Sequence, residues 1–366
     1  MADKIRVGIV GATVTTGGSG WGANAHVPAI DALGEYELKA VCTSREETAQ
    51  ASKEKFGAEL AFHDINDMVA HPDIDLIAVA VRVPWHYDLV MAGLKANKAV
   101  FCEWPLGANL KEAQEMNTAA KERNLNTVVG LQARSDPQYM YARDLVAQGH
   151  IGEVLFVNLS VSSQAALERG PGRIWQGDRA NGANTMTIAG GHPLDALCFI
   201  LGEFSEVTGR VGTQIKQWKH ADTGEMMVVD APDVVSMAGV LRNGAEVAYQ
   251  VVSVPSNPSG TRLEIYGREG TLVLTSNSAN IGPNTLLGAK GRDPLAEMPV
   301  PDEYKLAPEG TPAGPPRNVA QAYVRYADSL QKGEVIAPDF EVAVERHRLI
   351  DAIERSSAEG RAISLN

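Results

Sequence analysis

From Ile5 to about Val129, short apolar runs alternate with amphipathic stretches of helical period. Residues 5–10, 38–42, 76–81, 99–101 and 127–129 are apolar at nearly every position and read as strands. Between them, residues 26–33, 45–56, 65–70, 87–96 and 110–123 read as helices. Strands without polar alternation are buried on both faces. Separated by helical crossovers, they predict a doubly wound parallel sheet. After Gln132 the rhythm changes. Residues 136–148 read as one more helix, closed by Gly149. Alternating runs then follow at 154–162, 205–214, 234–241, 245–254, 261–267 and 271–275. Arg242-Asn243-Gly244 and residues 267–270 supply hairpin turns. This half predicts an α+β domain on an open, largely antiparallel sheet. A sheet face left without helices to cover it points to a homodimer or homotetramer.

Residues 276–317 stand apart, with eight of the 19 prolines and no periodicity. Such a stretch reads as a lid, an oligomer arm or a disordered loop. Helices at 319–331 and 340–359 finish the chain. The fold class is α/β, and the expected division is a dinucleotide-binding domain at 1–130 followed by a substrate-binding and oligomerisation domain at 131–366.

Composition narrows the partners. With Lys+Arg 33 against Asp+Glu 45, the net charge is -12, which repels nucleic-acid phosphates and anionic lipid. Neither is expected as a partner. Cys42, Cys102 and Cys198 sit in apolar stretches and form no C-x-x-C pair, so they read as buried, reduced thiols. The first strand begins too early for a signal peptide, and no apolar run approaches the ~18 residues of a membrane span. A soluble cytoplasmic protein is the expectation.

The candidate chemistry begins after the first strand. Gly8, Gly11, Thr13, Gly17, Gly18, Gly20 and Trp21 lie in or beside a glycine-rich loop that runs into a helix. Glycines let backbone approach a pyrophosphate, and a helix N-terminus offers free N–H groups to it. The loop is several residues longer than the usual G-x-G-x-x-G, and its placement reads as a Rossmann nucleotide site. At the end of the second strand, Thr43, Ser44 and Arg45 stand where an acid usually grips the ribose of NAD. Hydroxyls beside an arginine suit a 2′-phosphate, so NADP is expected, with NAD as the alternative. Ser44 also reads as a cap for the following helix.

Several segments together resemble the Gfo/Idh/MocA family: IRVGIVG, DIDLIAVAV, HYDLVMAGLKANKAVFCEWPL, VVGLQARSDPQ, GGHPLDAL, YGREGTLVL and HRLIDAIERSSAEGRAISL. The resemblance implies a Rossmann domain, a C-terminal open-sheet domain, and hydride transfer with sugars, polyols and related hydroxy compounds. It also exposes two departures. The family's Glu-Lys-Pro is Glu103-Trp104-Pro105 here, and its Asp four residues before His192 is Ile188. Glu103-Trp104, Leu131-Gln132-Ala133-Arg134 and the spacing of His192 and Asp195 also resemble a non-enzymatic branch of that family, the yeast galactose-pathway repressor.

From these motifs His192 is the candidate acid/base, since imidazole titrates near neutrality; a structural histidine at a helix start is the other reading. Asp195, three residues on, shares its helix face. No further ligands join this pair, so no metal is expected. Glu103 and His86 are expected near the cofactor, with helix capping as the alternative for His86. Trp104 reads as a stacking surface, and Gln132 and Arg134 as substrate contacts, with an interdomain salt bridge the other reading for Arg134. The polar loop carrying Trp175, Asp178 and Asn184 resembles the family's substrate loop and suits a carbohydrate-like ligand. Two functions remain open: an NAD(P)-dependent oxidoreductase with an atypical site, and a dinucleotide-sensing regulator without turnover.

Overall fold

The computed structural model describes residues 4–14 and 20–365. The chain forms two compact units. One comprises Met1–Leu131, Pro171–Arg173 and Leu306–Glu345; the other comprises Gln132–Gly170, Ile174–Lys305 and Arg346–Asn366.

The first unit holds six parallel strands: β1 Ile5–Val10, β2 Tyr36–Cys42, β3 Leu60–Phe62, β4 Leu76–Val79, β5 Ala99–Glu103 and β6 Thr127–Gly130. Their order is β3-β2-β1-β4-β5-β6, the doubly wound order in which the sheet reverses between β1 and β4. Every residue of β4 is buried, as an all-apolar central strand requires. The helices are α1 Val27–Asp31, preceded by a π-helical turn at Gly22–His26, then α2 Glu46–Phe56, α3 Ile65–Ala70, α4 His86–Lys95 and α5 Leu110–Glu122. The expected strands and helices are present. The edge strand β3 is additional, being three half-buried residues too short to show a period.

One feature of this unit has no counterpart in the strand–helix alternation. The chain returns to it with Leu306–Glu345. Helix α8 of that return, Pro315–Lys332, contributes Val319, Tyr323, Tyr326 and Ala327 to the core that also contains Ile9, Ile30, Tyr36 and Phe101. Tyr323 is fully buried, its ring centroid 4.9 Å from Phe101 and 5.0 Å from Tyr36. Each such large side chain buried stabilises the unit by roughly 1.5–3 kcal/mol.

The second unit is built on a nine-stranded sheet, ordered β17-β16-β15-β14-β7-β13-β12-β9-β18. In chain order these are β7 Val154–Gln164, β9 Phe204–Gly212, β12 Val234–Leu241, β13 Glu246–Val254, β14 Gly260–Gly267, β15 Gly270–Ser276, β16 Asn284–Lys290, β17 Ala296–Glu297 and β18 Ile363–Ser364. Strands β7 and β13 pair in parallel, and their neighbours pair antiparallel. A small separate sheet holds β8 Glu168–Arg169, β10 Gln217–His220 and β11 Met226–Val228. The remaining helices of the chain are α6 Pro137–Ala147, α7 Gly191–Leu201, α8 Pro315–Lys332 and α9 Phe340–Glu359, the unit boundary falling after Glu345 within α9.

Residues 276–317 correct an expectation. Read as irregular, they instead contain β16 and β17 at the sheet edge, a short turn at Asp302–Tyr304, and the start of α8. Pro283 directly precedes β16 and Pro294 falls between the two strands, so neither interrupts a ladder. Prolines flanking short edge strands hide their two-residue alternation.

Helix α9 buries His347, and that burial pushes its imidazole pKa down to about 3. The unfolded ring titrates near 6.5, so the neutral form supports the fold above that pH. The support is lost as pH falls from 6.5 towards 3. Urea unfolding from pH 7 to pH 4 should show a loss of about 3 kcal/mol from this group, and His347→Gln should flatten the slope. An unchanged slope in the variant would assign the acid sensitivity elsewhere.

Candidate functional site

A parallel sheet that reverses its winding opens a crevice at the carboxyl ends of its strands. At the reversal between β1 and β4 the first unit has a cavity of about 780 Å³ lined by residues from the ends of β1, β2, β3 and β4. This volume falls within the roughly 300–1,000 Å³ of small-molecule sites. Gly11 lies in its wall at φ +105°, and a methyl group there would stand 2.3 Å from the Ala80 carbonyl oxygen. Gly22, in the first helical turn, would place a methyl 2.9 Å from the Ala12 nitrogen. Bare backbone therefore packs closely where the strand turns into the helix, the cradle a pyrophosphate needs. Together with the cavity, these residues fit a dinucleotide.

Thr13, Thr43, Ser44 and Arg45 line this cavity with Gly11. The Thr43 hydroxyl donates to the Arg45 carbonyl at 2.9 Å and meets the Thr48 hydroxyl at 2.6 Å, which rigidifies the turn after β2. Arg45, not Ser44, occupies the N-cap of α2, and its side chain makes no capping bond. The capping reading of Ser44 is therefore overturned. Gly8 lies inside β1, where a methyl would press on Met68 and Ile74 at 3.0 and 3.2 Å; its role is helix–sheet packing. Gly20 has φ +66°, and Trp21 follows it at the start of the π-helical turn. Gly17 and Gly18 lie outside the described residues.

Arg82, Trp85 and His63 also line the cavity, together with Asp64, Asp67 and Asp88. Apart from Asp88, which lies in the segment HYDLVMAGLKANKAVFCEWPL, the sequence motifs include none of them. The signal was available: Arg82-Val83-Pro84-Trp85 comes just after β4, the strand at the reversal. Trp85 keeps 61% of its surface exposed at this edge. Arg82 donates to the Pro171 carbonyl at 3.0 Å.

At the end of β5, Glu103 and Trp104 are nearly buried. Glu103 Oε1 lies 2.8 Å from Nε2 of His26, whose Nδ1 lies 2.8 Å from the Tyr323 hydroxyl. The cofactor contact expected of His86 does not match its surroundings. Its ring is buried, with nitrogens 2.9 Å from the Pro105 carbonyl and 3.2 Å from the Val81 carbonyl, and burial lowers its pKa. His86 thus ties the loop after β4 to the loop after β5.

In the second unit, Gln132 and Arg134 lie in a short turn ahead of α6. Arg134 grips Asp195 with two bonds of 2.7 Å, and Arg346 approaches the same carboxylate at 3.4 Å while also pairing with Glu203. Asp195 is fully buried in this ion cluster, so it braces α7 rather than reaching a substrate. Arg134 makes its salt bridge within the second unit. Gln132 is fully buried. His192, in the first turn of α7, is 4% exposed and follows a π-helical turn at Thr185–Gly190. In the polar loop, Asp178 accepts from the Ala180 N–H at 2.8 Å, and Asn184 forms a reciprocal cap with Thr187. The Trp175 carbonyl accepts from Asn181 at 2.6 Å. Among the described residues, no group of three or more His, Cys, Asp or Glu is arranged to hold a metal, and no helix is long and apolar enough to cross a membrane.

Comparison with known proteins divides at the same place. Residues 5–131 match the family described as "Oxidoreductase family, NAD-binding Rossmann fold" (GFO_IDH_MocA), and residues 137–276 match "Gal80p, C-terminal domain". The dehydrogenase AclE of Aspergillus oryzae is 29% identical over 377 residues, covering 100% of this chain and 99% of its own. The galactose/lactose metabolism regulatory protein GAL80 of Saccharomyces cerevisiae is 29% identical over 262 residues, covering 66% of this chain and 59% of its own. The scyllo-inositol 2-dehydrogenase (NADP(+)) IolW of Bacillus subtilis is 25% identical, with 99% and 96% coverage. Two solved structures share the fold. A super-repressor mutant of Saccharomyces cerevisiae Gal80p has a TM-score of 0.86 at 24% identity, covering 99% and 98% of the two chains. Levoglucosan dehydrogenase in complex with NADH and levoglucosan also has 0.86, at 20% identity and 100% coverage of both.

Proposed function

We propose, for a chain that joins a Gfo/Idh/MocA oxidoreductase-family Rossmann domain to a Gal80p-type C-terminal domain, that it is an NAD(P)-dependent oxidoreductase with an atypical site, acting on a sugar-like or other small hydroxy or oxo compound. The observation that carries the reading is the cavity at the carboxyl ends of the strands, with Gly11 in its wall. The full-length match to a dehydrogenase supports it. We divide the chain near residues 130/131, with the return 306–345 completing the nucleotide unit.

A bound nicotinamide dinucleotide supplies a hydride acceptor or donor. This chain's residues do the rest. Gly11 and the loop after it admit the pyrophosphate. Arg45 and Arg82, both in the cavity wall, offer two cations to a 2′-phosphate, which favours NADP over NAD despite three aspartates sharing the wall. His192 takes the proton from the substrate hydroxyl as hydride leaves, without the family lysine, for which Trp104 stands in as an apolar surface. Trp175 and the polar loop around it face the carbohydrate-like substrate. Self-association as a homodimer or homotetramer is supported by the β7–β14 surface, where Phe156 and Tyr266 stack while 40% and 38% exposed.

The second reading is a dinucleotide-sensing regulator without turnover. It is favoured by Trp104 and Ile188 in place of the family's Lys and Asp, and by the Gal80p-type C-terminal domain. One experiment separates the two. The purified chain is titrated with NADP and NAD, then incubated with a panel of inositols, sugars and anhydrosugars while reduced cofactor is followed by absorbance. Turnover abolished by His192→Ala supports the enzyme; tight binding with no turnover across the panel supports the regulator. NADP binding should weaken about tenfold in Arg45→Ala. Equal affinity for NADP in that variant would end the NADP preference.

A further inference from the structure

The first unit holds a buried chain of three polar side chains that neither the glycine loop nor the ribose-side residues explain. Tyr323 meets Nδ1 of His26 at 2.8 Å, and Nε2 of His26 meets Oε1 of Glu103 at 2.8 Å. Tyr323 and His26 are fully buried. His26 comes at the end of the turn that follows the glycine-rich loop, Glu103 ends β5, and Tyr323 belongs to α8 in the returning segment.

The direction of the hydrogen bonds follows from chemistry. Burial, reinforced by Glu103, raises the Tyr323 pKa well above its ordinary value, so the phenol keeps its proton. A phenol that keeps its proton can donate to Nδ1 of His26. That arrangement puts the ring proton on Nε2, which donates to Glu103 Oε1. Each donor in the series points towards Glu103.

The carboxylate has a close neighbour as well. A methyl group on Gly130, the residue paired with Glu103 across β5 and β6, would lie 2.7 Å from its carboxyl carbon and from both oxygens. The acid is thus confined between bare backbone and the His26 ring. It is confined at the carboxyl ends of parallel strands, where ligands of such sheets are held.

We infer that Tyr323 is a positioning residue, which through His26 fixes the Glu103 carboxylate at the edge of the dinucleotide site. A hydroxyl on the C-terminal return would then set how tightly the N-terminal unit holds its dinucleotide. The inference rests on the reading of that unit as a dinucleotide site.

The test uses the full chain and four variants: Tyr323→Phe, Glu103→Gln, the two combined, and Tyr36→Phe. Tyr36 is the control, because its buried hydroxyl donates to the Tyr323 carbonyl at 2.6 Å rather than to His26. Dissociation constants for NADP and NAD are measured, and the His26 tautomer is read from ring nitrogen-15 shifts. Wild type should show the Nε2-protonated ring. Tyr323→Phe should lose that single-tautomer signature and bind dinucleotide up to about tenfold more weakly, the net weight of one buried hydrogen bond. Glu103→Gln should weaken binding similarly, and the double variant should add little, as for residues acting in one series. Tyr36→Phe should keep both affinity and tautomer even where it lowers the melting temperature.

Two outcomes overturn the proposal separately from the site itself: Tyr323→Phe binding as tightly as wild type, or Tyr36→Phe weakening binding equally. If wild type binds neither dinucleotide while keeping the Nε2 tautomer, the dinucleotide reading fails, and the inference falls with it.

Discussion

Gly11→Ala should abolish dinucleotide binding and destabilise the first unit by about 3 kcal/mol or more, combining backbone strain with an overpacked contact. The strain comes from φ +105°, which an L side chain rarely adopts. The clash comes from Ala80, whose carbonyl oxygen would lie 2.3 Å and carbonyl carbon 2.8 Å from the new methyl, with Val81 Cγ1 also at 2.8 Å. Two of these three atoms are backbone of the segment leaving β4, so relief requires the strands on either side of the reversal to part. Gly57 separates the two causes. It has φ +69° with nothing within 4 Å of an added methyl, so Gly57→Ala should cost only about 1–2 kcal/mol and leave binding intact. Urea denaturation and a cofactor titration on both variants check the prediction. Comparable losses would mean that backbone conformation alone, not close approach, makes Gly11 necessary.

The second large effect belongs to the ion cluster of the other unit. Asp195 is fully buried, with Arg134 on both of its oxygens and Arg346, 1% exposed in its side chain, beside it. Asp195→Ala takes the carboxylate from Arg134 and leaves Arg346 with Glu203 alone, and breaking a buried pair costs about 3–5 kcal/mol. The same pair replaced on both sides behaves differently. Asp195→Leu combined with Arg134→Met should recover part of that loss, since a removed pair leaves less unmatched charge than a broken one. Chemical unfolding of the single and double variants measures it. A single-variant loss below about 1 kcal/mol would show the cluster to be as weakly coupled as exposed ion pairs are. Because His192 precedes Asp195 by one helical turn, any turnover that survives in the single variant also reports how far α7 tolerates movement.

The parallel sheet was readable because its strands are short, wholly apolar and separated by helices. Residues 5–10 and 65–70 appear in the structure with the bounds their pattern predicts. The edge strands were not readable. Leu60–Phe62 and Ala296–Glu297 bury too few residues for a two-residue alternation to emerge, and β16 is masked by prolines on either side. Gly11, Thr43, Ser44 and Arg45, which line the cavity, were legible as candidates because they follow strands on a chain already read as doubly wound. Arg82 and Trp85 obey the same rule after β4, yet they carry no motif. Asp195 and His86 were chosen for their chemistry and turned out to be committed to the part-buried Arg134 and to backbone carbonyls. Burial depends on residues far apart in the chain, such as Arg346 opposite Asp195, and local spacing carries no trace of it.

The return of Leu306–Glu345 bears on how the protein comes into being. The nucleotide unit has its six strands in place once residue 130 has been synthesised, yet part of its core, Val319 to Ala337, has not been made. At about 5–20 residues per second, a ribosome needs roughly ten to forty seconds to deliver that missing wall. Throughout that interval the apolar side of Ile9, Ile30 and Tyr36 lacks that wall, while the second unit as far as Lys305 is being made. The emerging chain is therefore a substrate for chaperones until residues 319–337 arrive, and nucleotide binding, where it needs the Tyr323 hydroxyl, is reserved for chains extended past α8.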